Sequence, residues 1–326
     1  MTTARSQLVD ANAPGYYHCI SRCVRRAWLC GLGQLTGQSF EHRRDWIEER
    51  LLELAEIFAV SLYAYAVVSN HVHIVLRVDP AAARELTDDA VAARWVRLFP
   101  VQDHGLHVAD ACQRKQQALL GNSERIQQCR QRLGSLSWFM RWLIEPIARR
   151  ADREDACTGR FWGGRYRCQA LLDEAALLAC MSYVDLYPIR AGIAASLETS
   201  EHTSALRRIE AIRADAKHAA DALQPVRSGT RAVALSLSAS AYLELIDWAA
   251  HLVRPGKRHL STSAAPSILG RLGLRERQWQ FQVMGIESRY FRAIGGAEAL
   301  MAKAEAMGQC WLKGLGMAQQ LKRQAA

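Results

Sequence analysis

The sequence lacks the patterns that mark several common classes of protein. It has no run of about 18 apolar residues and no charged-then-apolar segment at its N-terminus, so we expect a cytoplasmic protein with no membrane partner. Its nine cysteines include no C-x-x-C pair, which argues against the usual zinc spacings and against a small secreted disulfide framework. It also has no G-x-x-x-x-G-K-[ST] phosphate loop, which argues against a P-loop nucleotide hydrolase.

Acidic residues are too few to balance the basic ones. The chain has 42 Lys and Arg against 32 Asp and Glu, a formal net charge of +10. Such an excess lowers the cost of approaching a polyanion, so nucleic acid is the leading class of partner. With 326 residues and 50% hydrophobic content, the chain can also bury a sizeable core.

Hydrophobic periodicity predicts an order of strands and helices over the first 192 residues. The predicted elements are a strand at 15–23 that continues to about 31, an amphipathic helix at 40–60, two strands at 61–68 and 71–78, a helical insertion around 80–135, an amphipathic helix at 136–155, an extended aromatic and basic segment at 159–172, and a helix at 173–192. This order predicts an α+β fold. We place a domain at 1–192, a connecting, partly helical linker at 193–240 and a C-terminal helical region at 241–326.

Two histidines, His71 and His73, lie one residue apart in the strand-like segment HVHIVLRV. Residues i and i+2 of a strand point to the same face, so the two imidazoles lie side by side. Two neutral imidazoles at that spacing suit a divalent metal ion with its other positions open. Taken alone, the pattern more often marks two ordinary polar residues on a half-exposed strand.

Three motifs follow one another in a fixed order. They are Asn70-His71-Val72-His73, then Gly159, Trp162, Arg165 and Tyr166, then Tyr183, Val184, Pro188, Ile189, Arg190, Ala191 and Gly192. Together they resemble the motifs of the REP-associated tyrosine transposases, a branch of the single-tyrosine HUH transposases (HUH denotes His, hydrophobic residue, His). The resemblance covers roughly residues 14–192, and three motifs in order are more specific than any one of them.

The resemblance implies both a fold and an activity. The fold is a ferredoxin-like antiparallel sheet with helices on one face, the HUH endonuclease fold, with the tyrosine helix laid beside the histidines. The activity is that of a DNA transposase, which cleaves and rejoins single strands at hairpin-flanked repeat ends through a 5′-phosphotyrosine. Tyr183 is then the nucleophile, and His71 and His73 hold Mg²⁺ or Mn²⁺. The implied partner is single-stranded or hairpin DNA, bound by a monomer or homodimer.

The residue types suit this chemistry. The tyrosine hydroxyl has a pKa of about 10 and is a weak nucleophile near neutral pH. Its attack on a phosphodiester therefore needs a Lewis acid nearby. Without the surrounding motifs, a core aromatic residue on an apolar helix is the favoured interpretation of Tyr183.

One position departs from the family pattern. Four residues after the nucleophile the family usually has Asn or Gln, whereas this chain has Tyr187. A phenol is a poor neutral ligand for Mg²⁺, which prefers compact oxygen donors, so weakened activity is expected. His18 on the first strand is a second candidate for the third metal position, although a lone strand histidine is more often structural.

Basic and aromatic residues near the motifs predict a DNA-binding surface. Guanidinium groups can bind phosphates, and aromatic rings can stack on unpaired bases. The predicted contacts are Arg160, Trp162, Arg165, Tyr166, Arg167 and Arg190. The alternative is a solvated amphipathic strand with Trp162 in the core.

Two rival functions stay open at this point. The first is a catalytically decayed protein that binds DNA hairpins without ever joining them covalently, and Tyr187 favours it. The second is a histidine-metal hydrolase that uses water, although no spacing such as H-E-x-x-H offers a third ligand.

Overall fold

The computed structural model describes residues 5–24, 29–30, 37, 39–253, 266–290 and 292–325. The strands are β1 Gly15–Arg22, β2 Val60–Val67, β3 His71–Val78, β4 Gln102–Asp103, β5 Leu106–His107, β6 Arg167–Leu171, β7 Arg227–Ser228 and β8 Ala293–Ile294. The helices are α1 Arg5–Leu8, α2 His42–Ile57, α3 Pro80–Glu85, α4 Asp88–Leu98, α5 Ala109–Leu120, α6 Ser123–Leu133, α7 Leu136–Glu154, α8 Glu174–Asp185, α9 Tyr187–Arg190, α10 Ser204–Ala214, α11 Ala239–Val253, α12 Ser267–Arg271, α13 Glu276–Gly285, α14 Ala297–Ala306 and α15 Leu315–Ala325. A short 3-10 helix, Ala216–Ala219, follows α10.

Six strands form the central sheet in the order β7-β2-β3-β1-β6-β8. Every neighbouring pair is antiparallel except β6 and β8, which run parallel. The predicted antiparallel sheet and the order of elements up to α8 are confirmed, but the ferredoxin-like connectivity stays a prediction. Most of the predicted continuation of β1 beyond Arg22 lies outside the described residues.

Helices cover both faces of the sheet. Every residue of β2 is buried, as expected of a strand with a layer on each side. Tyr65 of β2 points to one face, where its hydroxyl donates to Glu48 of α2. Its neighbour Ala66 is paired with His73 and points to the other face, which α8 covers. Helix α8, which carries Tyr183, therefore forms a layer of its own on the face opposite α2.

Side-chain caps define where several helices begin. Thr87, for example, accepts a hydrogen bond from the Ala90 amide and so satisfies one of the free N–H groups of the first turn of α4. Capping side chains of the same kind precede α3, α6, α7, α8 and α10: Asp79, Asn122, Ser135, Asp173 and Thr203. Within the described ranges, no helix combines the length and the apolar content that crossing a bilayer requires.

The segment after α8 completes the sheet at both edges. The two-residue strand β7 pairs with β2, and β8 pairs with β6. The C-terminal end of α8 is fixed by the buried carboxylate of Asp185, which accepts hydrogen bonds from Ser204 Oγ, from the Ala205 amide at 3.0 Å and from the Tyr242 hydroxyl at 2.6 Å. Helices α10 and α11 therefore hold the end of the tyrosine helix in place.

Candidate active site

The sheet register places the predicted site residues on one face. Ile20 of β1 is paired with His73 and Arg22 with His71, so His18 lies two residues further along the same face. On the other side of β1, His18 is paired with Gln169 of β6. The three histidines and Gln169 therefore share a single surface of the sheet.

The tyrosine helix brings two phenol rings onto this surface. The His71 and His73 ring centroids are 4.7 Å apart, and the Tyr183 ring centroid is 5.8 Å from that of His73. The Tyr187 ring lies 4.8 Å from His71 and 4.9 Å from His73. The first and third sequence motifs thus meet in one cluster, although more than 100 residues separate them along the chain.

His18 lies behind His73. It is fully buried, its Nδ1 is 3.0 Å from Gln169 Oε1, and its Nε2 is 3.0 Å from His73 Nδ1. Both ring nitrogens of His18 are therefore occupied by protein partners. This arrangement gives His18 the place of a neighbour that orients His73, and the third metal position predicted for it does not fit.

All three imidazoles are neutral near pH 7. Burial lowers the pKa of His18 to about 4, with the Gln169 hydrogen bond opposing the shift. Burial, and then the charge of Arg22, lowers the pKa of His71 to about 4. The pKa of His73 is lowered by burial, followed by the neighbouring His18 and His71. Each ring therefore keeps one nitrogen lone pair, as a metal ligand requires.

This burial makes the stability of the fold sensitive to acid. The pKa of His18 is about 4 in the folded protein, below the ordinary histidine value of 6.5, so the unfolded state takes up the proton first as pH falls. The contribution is present above pH 6.5 and is lost progressively toward pH 4. We expect His18 alone to reduce the free energy of unfolding by about 2 kcal/mol between pH 7 and pH 5.

Urea unfolding at the two pH values measures this loss. The variant His18→Gln should show a smaller difference between pH 7 and pH 5 than the parent. The control is His251→Gln, because His251 is exposed on α11 and should change nothing. An equal pH dependence in the parent and in His18→Gln would contradict the expected role of His18.

Tyr183 is covered in this arrangement. Only 3% of it is exposed, and the Arg190 guanidinium carbon lies 4.4 Å from the centre of its ring. Burial, and then the charge of Glu287, raises the pKa of Tyr183, while Arg190 acts in the opposite direction. The hydroxyl is therefore protonated, and it lies beside a carboxylate that sequence reasoning did not identify.

Tyr187 lies at the break between two helices. Helix α8 ends at Asp185, and α9 begins at Tyr187 with Pro188 in its first turn. The ring centroids of Tyr183 and Tyr187 are 6.2 Å apart, so both rings face the histidines as the four-residue spacing predicts. The Tyr187 ring packs against both imidazoles of the HVH motif.

The donor set fits a metal held by two imidazoles. His73 Nε2 is buried and has no hydrogen-bond partner within the described part of the chain. His71 Nδ1 bonds to Asn70 Oδ1, which leaves Nε2 as the nitrogen with a lone pair. Across the described ranges, no group of three or more His, Cys, Asp or Glu side chains is arranged to hold a metal ion. With two imidazoles from the protein, the remaining positions would be filled by the oxygen atoms of water and substrate phosphates, which Mg²⁺ and Mn²⁺ prefer.

A basic cleft of about 560 Å³ opens beside His71. Its lining residues are Ile20, Arg22, Val24, Asn70, His71, Gly163, Gly164, Arg165, Arg167, Tyr187 and Glu287. Three arginines against one glutamate favour an anionic ligand. Tyr187 and Glu287, which line the cleft, are also neighbours of the buried Tyr183.

The predicted DNA contacts divide into two groups. Arg160 and Arg165 are exposed, and Arg167 and Arg190 are half-buried. Trp162 is 9% exposed, with its indole N–H donating to the Ile144 carbonyl at 2.7 Å. Tyr166 is 6% exposed beneath the Arg5 guanidinium. The stacking on bases predicted for Trp162 and Tyr166 does not fit these positions, because both rings belong to the core.

Two residues of the site were missed from the sequence. Gln169 lies in the same extended segment as Arg167, and the period of two could have placed it on the face of His18. Glu287 follows α13, and no local pattern connects it with the histidines. Its carboxylate Oε1 is 3.9 Å from His73 Nδ1.

No family model matches this chain, and no curated protein matches it. Among solved structures, that of a REP-associated tyrosine transposase bound to a REP hairpin is similar over 73% of this chain and 97% of its own length. The identity is 10% and the TM-score is 0.37. A likeness at this level is distant and carries no conclusion about activity.

Proposed function

We propose that this protein is a metal-dependent endonuclease and strand transferase that acts on single-stranded DNA at hairpin-flanked repeat ends, as a transposase does. The observation that carries the proposal is the meeting of Tyr183 with His73 beside a basic cleft. The two ring centroids are 5.8 Å apart, and the Nε2 of His73 has no partner among the described residues. A nucleophile, a free metal-binding nitrogen and a route for a polyanion therefore lie together.

In the proposed reaction the Tyr183 oxygen forms a bond to the scissile phosphorus, and the bond from that phosphorus to the 3′ oxygen breaks. The Tyr183 proton leaves, and the departing 3′ oxygen gains a proton. The products are a 5′-phosphotyrosine and a free 3′-OH. Attack by a 3′-OH on the phosphotyrosine reverses the step, so the covalent link conserves the energy of the bond.

His71 and His73 are the proposed ligands of Mg²⁺ or Mn²⁺. When bound, the ion supplies Lewis-acid withdrawal of negative charge from the phosphate. Arg22 and Arg165, which line the cleft, are placed to bind neighbouring phosphates of the strand. The exposed Arg160 extends this basic surface.

The proposed reaction requires Tyr183 to become accessible. Only 3% of Tyr183 is exposed, so its hydroxyl cannot meet a phosphodiester in this arrangement, and Glu287, whose charge raises the pKa of Tyr183, is the neighbour that we expect to move away. The carboxylate also repels a phosphate and disfavours the phenolate. The DNA-bound form is therefore expected to differ from this one at the turn after α13.

The variant Glu287→Gln is expected to form the covalent adduct about tenfold faster at neutral pH. Loss of one negative charge beside the phenol should lower its pKa by about one unit, which multiplies the reactive phenolate about tenfold. The rate is measured by single-turnover adduct formation with labelled DNA. The control is Glu276→Gln, which makes the same charge change at the other end of α13. A slower rate in Glu287→Gln would instead make Glu287 the base that accepts the Tyr183 proton.

A pool of single-stranded oligonucleotides that carry a hairpin flanked by randomised sequence tests the proposed function. After incubation with Mn²⁺ or Mg²⁺, a DNA label at the 3′ end should remain on the denatured protein. A label at the 5′ end should be released with the 3′-OH fragment. No adduct with either label would exclude the activity, and adduct from the 5′ label alone would reverse the proposed polarity.

A DNA-hairpin-binding protein without catalysis is the second candidate. The observation that favours it is the position of Tyr187, whose ring packs against both His71 and His73 where the family pattern has a small amide. Such a protein would bind the same oligonucleotides and never form the adduct.

A further inference from the structure

A buried chain of hydrogen bonds ends at His73. Gln169 Nε2 donates to the Ile286 carbonyl at 3.1 Å, and Gln169 Oε1 is 3.0 Å from His18 Nδ1. The other nitrogen of His18, Nε2, is 3.0 Å from Nδ1 of His73. The side chains of Gln169, His18 and His73 are all fully buried. The chain thus runs from the C-terminal region, across β6 and β1, to the metal-binding motif on β3.

The direction of each hydrogen bond follows from its chemistry. A carbonyl oxygen only accepts, so the amide NH₂ of Gln169 faces Ile286 and its oxygen faces His18. That oxygen also only accepts, so Nδ1 of His18 carries the hydrogen. A neutral imidazole has a single N–H, and Nε2 of His18 is therefore an acceptor. His73 must then donate from Nδ1, which leaves its lone pair on Nε2.

Complete burial keeps both rings neutral. An imidazolium at His18 or His73 would lose its hydration without gaining a hydrogen-bonded carboxylate. The carboxylate of Glu287 lies near His73, but its Oε1 is 3.9 Å from Nδ1, outside hydrogen-bond distance. Donation from His73 Nδ1 to His18 therefore remains the bond that orders the pair.

We propose that Gln169 and His18 are positioning residues that hold His73 as its Nδ1–H tautomer and so present the Nε2 lone pair to a divalent cation. This inference rests on the proposed function, since it concerns the same metal site. Metal-binding histidines commonly donate their second N–H to an acceptor that fixes the ring, and loss of that acceptor weakens binding about 10–100-fold. Here the acceptor is a second imidazole, itself ordered by an amide and a carbonyl of the C-terminal region.

The tautomers are measured directly by ¹⁵N NMR of the full-length protein labelled at histidine, without metal or DNA. We expect the N–H of both His18 and His73 on Nδ1, with His73→Asn used to assign the signals of His73. Finding the hydrogen of His73 on Nε2 in the parent protein would overturn the proposal. The deciding signal comes from the parent protein, so this measurement needs no activity, and the variant serves only to assign that signal.

Two substitutions at position 169 then test this chain of hydrogen bonds. Gln169→Leu removes the acceptor for His18 and should raise the Kd for Mn²⁺ alone about tenfold, with mixed tautomers at His73. Gln169→Glu is the matched control. Burial favours its protonated form, which can donate to the Ile286 carbonyl and accept from His18, so both the affinity and the tautomer should stay near the parent values. Unchanged Mn²⁺ affinity and tautomer in Gln169→Leu would overturn the proposal.

Should Gln169→Leu fail to fold, the tautomer of His73 in the parent still decides the question. The two proposals also fail separately. One outcome is that no DNA adduct forms, while the hydrogen lies on Nδ1 of His73 and the Mn²⁺ affinity depends on Gln169. That outcome would overturn only the proposed function. A protein that forms the adduct but carries the hydrogen of His73 on Nε2 would overturn only the positioning role of Gln169 and His18.

Discussion

Replacement of Tyr183 by phenylalanine is expected to remove the denaturant-resistant DNA adduct completely while leaving hairpin binding within a few-fold of the parent. The change deletes the attacking hydroxyl and keeps the ring that packs against His73 and beneath Arg190. Adduct formation is measured with the 3′-labelled hairpin pool, and binding with the same DNA by fluorescence anisotropy.

The neighbouring phenol provides the control for this experiment. The ring centroid of Tyr187 is 6.2 Å from that of Tyr183, so both phenols belong to the same cluster. Tyr187→Phe removes only the second hydroxyl and should leave the adduct in place. An adduct that survives Tyr183→Phe and disappears in Tyr187→Phe would assign the nucleophile to Tyr187. An adduct that survives both changes would place the nucleophile elsewhere in the chain.

Much of the fold up to α8 could be predicted from periodicity alone. The helix α2 and the strands β1, β2 and β3 lie where apolar spacing predicts them, because each is long enough to repeat its period several times. The strands β7 and β8 have two residues each and repeat no pattern. They form by pairing with strands already in place, and pairing partners are not encoded locally.

The candidate site likewise has one part that local spacing predicts and another part that depends on tertiary packing. The side-by-side placement of His71 and His73 follows from the strand period, and the shared face of Tyr183 and Tyr187 follows from the helical spacing. Glu287 reaches the cluster only through the packing of α13 on α8, which no spacing in the sequence indicates. An alternating aromatic and basic segment also cannot distinguish a ring open to bases from a ring in the core, and Trp162 belongs to the core.

Replacement of either His71 or His73 by alanine is expected to abolish DNA cleavage together with the metal-dependent rise in Tm. A ligand that binds only the folded state stabilises it in proportion to the logarithm of its concentration over Kd, so the parent Tm should rise steadily with Mn²⁺.

The two variants should differ in the absence of metal. His73→Ala empties a fully buried site and leaves His18 Nε2 without its donor, which costs about 1–3 kcal/mol for the unpaired nitrogen alone. His71 lies at the edge of the cleft and bonds to the adjacent Asn70, so His71→Ala should lose much less stability. Thermal unfolding across a Mn²⁺ titration of the parent and both variants distinguishes these effects. A Tm that rises in either variant as steeply as in the parent would show that the substituted histidine is structural and does not bind the metal.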